Sequence, residues 1–147
     1  GDVDFAFEIY QRMMPINSAQ DIDRYEVEPY VYAEYVTSPD HPTQGQASHS
    51  WLTGTAVWML RIGIDYIIGF KPTLEGMIID PHIPSHWPEF TAHRKFRDKT
   101  LKLHVTNPNS KNSGVQSIIV NGQPVTGNFL NISDYGENNL AISVELG

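Results

Sequence analysis

At 147 residues, with 40% hydrophobic and 11% aromatic content, the chain has the length of one packed domain. A formal net charge of -7 argues against a nucleic-acid partner, because phosphate backbones demand clustered Lys and Arg. The absence of cysteine excludes disulfides and Cys-based zinc sites and fits a reducing, cytoplasmic compartment; no apolar run reaches a membrane span and no signal-peptide pattern opens the chain.

Residues 4–14 read as a helix, with Phe5, Ile9 and Met13 on one face and Pro15 ending it. The abrupt opening "GDVDFAFEIY" reads as a turn and helix start, so a segment of a longer protein is expected. A loop-rich acidic stretch follows, in which "PYVYAEYV" has no period that separates helix from extended chain. Residues 52–68 predict one helix with apolar residues on every face, closed by Gly69 and Pro72. A helix apolar all round is ordinarily buried inside a larger protein, and two helices alone do not cover it.

Beyond Pro72 the period shortens. "GMIIDPHIP", "FTAHRKF", "KTLKLHVTNP", "GVQSIIVNGQPV" and "NLAISVELG" are strand candidates, and Asn121-Gly122 is a hairpin turn signal. Short strands at this spacing predict an antiparallel β-sandwich. The charge divides at the same place: residues 1–70 carry ten acidic and three basic side chains, whereas 71–147 carry seven of each. Two units are therefore expected to meet near residue 70.

Three constellations could carry chemistry. The six histidines do not form a metal site: His82 and His86 are four apart but Pro81 and Pro84 deny them a helix face, and His41 and His49 lie in the other unit. They are read as structural or surface residues, with no metal. Thr53 and Gly54 stand where the loop enters the apolar helix, where unpaired N–H groups and the helix dipole favour an anion. Capping by Thr53 or Ser50 and close packing at Gly54 explain the same residues. Glu34 stands among tyrosines, a composition suited to sugar recognition and equally to an acidic residue in an aromatic packing layer.

Taken together, "VEPYVYAEYVTSPDHPTQGQASHSWLTGTAVWML" and "GFKPTLEGMIIDPHIPSHWPEF" resemble the C-terminal part of glycoside hydrolase family 94, the disaccharide phosphorylases. The string "SHSWLTGTA" carries most of the specificity, and the stretch after residue 110 carries little. The resemblance implies an α+β segment: residues 1–70 as the last helices and active-site loop of an (α/α)6 barrel, and residues 71–147 as a C-terminal antiparallel β-sandwich. It implies inverting phosphorolysis of a β-linked disaccharide to a sugar 1-phosphate, with inorganic phosphate as co-substrate and no cofactor. By the family motif Thr53 and Gly54 contact phosphate and Glu34 lines the sugar site. The family's general acid matches no position here, so no catalytic residue is assigned and the segment alone is expected to be inactive. The implied partners are the disaccharide, phosphate, the remainder of the catalytic barrel and a second copy in a homodimer. A carbohydrate-binding or structural β-sandwich module that stands alone is the rival reading.

Overall fold

The first expected helix is α1, Val3–Met13, in the computed structural model, which describes residues 2–147. Its ends suit the helix dipole, with Asp4 in the first turn and Arg12 in the last, and Arg12 pairs with Glu8 one turn away. Pro15 does more than stop this helix. Met14 is extended (φ -66°, ψ 132°), as a residue before proline prefers, and Pro15 opens a second short helix, α2 (Pro15–Ser18). A third, α3 (Ile22–Tyr25), is capped by the Asp21 carboxylate, which accepts from the Arg24 N–H.

The ambiguous tyrosine-rich stretch is extended over β1 (Ala33–Val36) and pairs antiparallel with β2 (Ala47–Ser50), in the register Ala33↔Ser50, Tyr35↔Ser48 and Val36↔Ala47. Ala19, Tyr25 and Ala47 form a small core beneath it, with Val27 and Ala33 packed alongside.

The single helix expected over 52–68 is shorter and changes type. It begins as α4 at Thr55–Arg61 and becomes a π-helix at Ile62–Ile67, where the Ile68 N–H donates to the Gly63 carbonyl at 2.9 Å. The late start has a local cause. Trp51 is left-handed (φ 69°), and the Thr53 hydroxyl accepts from the Thr55 N–H at 3.1 Å, so a hydroxyl-closed turn precedes the first helical residue. The widened turn is held at its end by the His82 N–H, which donates to the Tyr66 and Ile67 carbonyls at 3.1 and 3.2 Å. Buried Asp65 also anchors it, lying 3.3 Å from Arg94, whose guanidinium donates to the Phe70 carbonyl at 2.6 Å.

The chain divides into two compact units, Phe5–Arg61 and Ile62–Gly147 with the residues before Phe5. The second unit holds two sheets. One has three strands in the order β3 (Phe70–Pro72), β4 (Gly76–Ile79) and β9 (Phe129–Asn131). The other has five, in the order β5 (Glu89–Phe96), β6 (Lys99–Thr106), β10 (Asn139–Leu146), β7 (Val115–Val120) and β8 (Gln123–Val125). Both contribute to one core, which includes Phe70, Met77, Ile79 and Leu130 from the first and Leu101, Leu103, Ile118, Ile142 and Val144 from the second. Alternation works as read: Leu101, Leu103 and Val105 are buried while Lys102 and His104 face water.

The larger sheet is mixed, not antiparallel throughout. β10 runs antiparallel to β7 but parallel to β6. β6 and β7 point in opposite directions, so a last strand inserted between them must run parallel to one of them. Asn121 and Gly122 both take positive φ (48° and 81°) between β7 and β8, the requirement of a tight hairpin turn. Among the described residues no helix is long and apolar enough to cross a membrane.

Candidate functional site

The β1–β2 pairing sets the geometry of the site. Ala33 opposite Ser50 and Tyr35 opposite Ser48 place Glu34 beside His49, and their side chains approach to 3.7 Å (Nδ1 to Oε2). Three residues past Ser50 the chain reaches Thr53, so a strand residue and a helix start far apart in sequence are brought to the same region of the unit. An open groove of about 390 Å³ runs between Glu34 and the first helical residue, Thr55, its lining also including Arg12, Tyr25, Tyr32 and Tyr35. Burial raises the pKa of the Tyr25 and Tyr32 phenols, so both remain neutral hydroxyls able to donate as well as accept.

Thr53 is turned toward the helix. Its hydroxyl lies 2.8 Å from that of Thr55 in addition to accepting the Thr55 N–H. Gly54 occupies the capping position, its carbonyl accepting from the Trp58 N–H at 3.2 Å. A Cβ built on Gly54 would meet nothing nearer than Trp58 Cδ1 at 4.0 Å. Within this unit, packing does not demand a glycine there. The bare backbone leaves the helix start open to approach.

The segment between Glu34's partner and the Thr-Gly pair is held in a costly shape. His49 (φ 53°) and Trp51 (φ 69°) both adopt left-handed backbone, unusual for bulky side chains. The Trp51 indole donates to Glu28 Oε1 at 3.0 Å. Glu28 is held below the usual carboxylate range by its own backbone N–H first, then by Ser50 and Trp51. On the other side the His49 ring sits 6.0 Å from that of Tyr35, and His49 Nδ1 lies 3.0 Å from the Ser48 hydroxyl.

Three of the other five histidines have separate local partners: His41 the Thr43 hydroxyl, His82 the Asp80 carbonyl and His104 the Glu89 carboxylate, each at 3.0 Å. No group of three or more His, Cys, Asp or Glu that could hold a metal occurs among the described residues. Sequence reasoning named Glu34, Thr53 and Gly54 as candidates and did not name His49 and Thr55 as their neighbours. The hairpin register was the missing signal, since it depends on residues 33–36 being extended.

Known proteins match the same region. Residues 1–69 match the Glycosyl hydrolase 94 superfamily, catalytic domain. The N,N'-diacetylchitobiose phosphorylase of Vibrio proteolyticus is 38% identical over 127 residues, covering 86% of this chain and 16% of that protein. The enzyme of the same name from Vibrio furnissii is 36% identical over 147 residues, 100% of this chain and 18% of its own length. Solabiose phosphorylase of Paenibacillus borealis is 32% identical over 127 residues, 86% of this chain and 16% of its own. The chain thus spans about a sixth of the length of the curated relatives it matches.

Proposed function

This chain belongs to the glycosyl hydrolase 94 superfamily, and from that membership we propose that it serves as the C-terminal segment of an inverting disaccharide phosphorylase. In that reaction a phosphate oxygen attacks the anomeric carbon from the face opposite the departing sugar. The glycosidic C–O bond breaks, and the leaving oxygen takes a proton from a general acid outside these residues. The products are a sugar 1-phosphate and a free sugar. Phosphate is already an anion and needs no carboxylate base, unlike the water of an inverting hydrolase. The segment's contribution is to hold it in line.

The observation that carries this reading is the Thr53-Gly54 pair directly before α4, whose first residue, Thr55, lines a groove together with Glu34. The Thr53 hydroxyl and the Gly54 amide would bind phosphate oxygens where the helix dipole favours negative charge. Glu34 would accept from sugar hydroxyls, with the neutral phenols of Tyr25 and Tyr32 lining the same groove. The exposed apolar residues Val57, Trp58 and Leu60 would pack against the rest of the catalytic barrel. A cytoplasmic homodimer completes the proposal.

The decisive test is Thr53→Ala in the complete enzyme. Loss of one hydrogen bond to a charged ligand, roughly 1.5–3 kcal/mol, lowers kcat/KM for phosphate roughly tenfold to hundredfold. The KM for the disaccharide should change much less. Unchanged phosphate kinetics in a variant that melts earlier would return Thr53 to an ordinary capping role.

A further inference from the structure

We propose that His49 is a positioning residue for Glu34: it holds the carboxylate in the orientation that receives the sugar. The inference rests on the assignment of Glu34 to the sugar side of the groove. Glu34 is well exposed, with 57% of its side chain accessible. A carboxylate so placed on a strand samples several rotamers unless a neighbour selects one. Among the described residues the basic group beside its carboxylate is His49, with Nδ1 3.7 Å from Oε2, an ion pair when the imidazole is protonated.

His49 is itself restrained from three directions. Its backbone is left-handed at φ 53°, its Nδ1 lies 3.0 Å from the Ser48 hydroxyl, and its ring rests against Tyr35. Two residues on, Trp51 takes the same left-handed conformation and is pinned by its indole to Glu28. Left-handed backbone at two bulky residues is unfavourable and persists only where surrounding contacts over-determine it. The β1–β2 register places His49 opposite Glu34, and in the observed left-handed backbone its ring lies against Tyr35 and within reach of Glu34. An exposed ion pair contributes little to stability, so the contribution of this one lies in orientation.

The strain supplies a clean test. Glycine adopts positive φ at no steric cost and asparagine tolerates it. His49→Gly and His49→Asn therefore keep the backbone while deleting the imidazole. In the complete enzyme, assayed by phosphorolysis of N,N'-diacetylchitobiose and of cellobiose, Glu34→Gln is expected to raise the disaccharide KM about tenfold. Each His49 variant should raise it about three- to fivefold, the scale of an exposed ion pair, with the KM for phosphate and the melting temperature unchanged or the latter raised. The double variants should match Glu34→Gln alone, because His49 acts only through Glu34. Silent His49 variants beside an impaired Glu34→Gln, or effects that multiply in the double variants, would overturn the positioning role while leaving Glu34 at the sugar. A silent Glu34→Gln would overturn the assignment of Glu34 and the proposal with it.

Discussion

At Gly54 the proposed phosphate contact and the demands of folding can be tested apart. Its Cβ position is open, with Trp58 Cδ1 at 4.0 Å as the nearest atom. Gly54→Ala should therefore fold with a stability change within about 1 kcal/mol, the loss at a capping position opposing the reduced entropy of the unfolded chain. If the amide meets phosphate, the added methyl should raise the KM for phosphate, and Gly54→Val should raise it further. Melting curves beside phosphate-dependent rates check both halves. Gly69 is the opposite case. It has φ 85°, and a Cβ there would lie 2.3 Å from the Pro81 nitrogen and 2.4 Å from the Asp80 carbonyl carbon. Gly69→Ala is expected to cost roughly 2–4 kcal/mol through strain and overpacking, read as a fall in the denaturant midpoint. Thr53 and Gly54 could be proposed from the sequence because a motif is a property of neighbouring residues. His49 was not visible as Glu34's partner, because 15 positions separate them and only the hairpin closes that distance.

Elements are tied together here by single polar groups as well as by apolar faces. Asp4, in the first turn of α1, accepts from the Ser85 backbone N–H at 2.8 Å, the Ser85 hydroxyl at 3.0 Å and the Asn112 amide at 3.1 Å. Its pKa is lowered, chiefly by the Ser85 backbone hydrogen bond and next by Asn112. A carboxylate whose folded pKa is depressed stabilises the fold above its unfolded value and loses that contribution as pH falls through the folded one. Acidification below the ordinary aspartate range should therefore release this anchor. Asp4→Asn should reduce the acid sensitivity of the melting temperature below about pH 4 and leave its slope near neutrality alone. Equal acid slopes for the two proteins would show that Asp4 does not take part. The π-helix gives a second view of this scale. Apolar residues on every face announced a helix over 52–68, but the change of pitch at Ile62 depends on Arg94 and His82, which lie well outside that window.

For the whole molecule, the proposed division of labour predicts that the isolated chain releases no sugar 1-phosphate from N,N'-diacetylchitobiose or cellobiose in the presence of phosphate, because none of its residues matches the family's general acid. Measured release by the purified chain would overturn that division. The exposed apolar side chains of α1 and α4, among them Phe5, Met13, Val57, Trp58 and Leu60, are expected to drive association of the isolated chain as concentration rises. Light scattering across a concentration series checks this.

The sequence by itself determined what depends on neighbours along the chain. Alternating Leu101, Leu103 and Val105 specify a strand with one buried face. Asn121-Gly122 specifies a turn that only residues tolerant of positive φ can make, and "SHSWLTGTA" marks the family. Tertiary structure decided what depends on residues remote from one another. It selected the extended form for "AEYV" by supplying Ala47–Ser50 as a partner. It set β10 parallel to β6, a direction that period-2 patterning cannot encode because side chains alternate equally in both kinds of pair. It also brought His49 to Glu34 through the register of the hairpin. Local patterns arise from steric and solvation preferences of adjacent residues, whereas strand direction, register and helix pitch follow from which distant surfaces and polar groups become partners on folding.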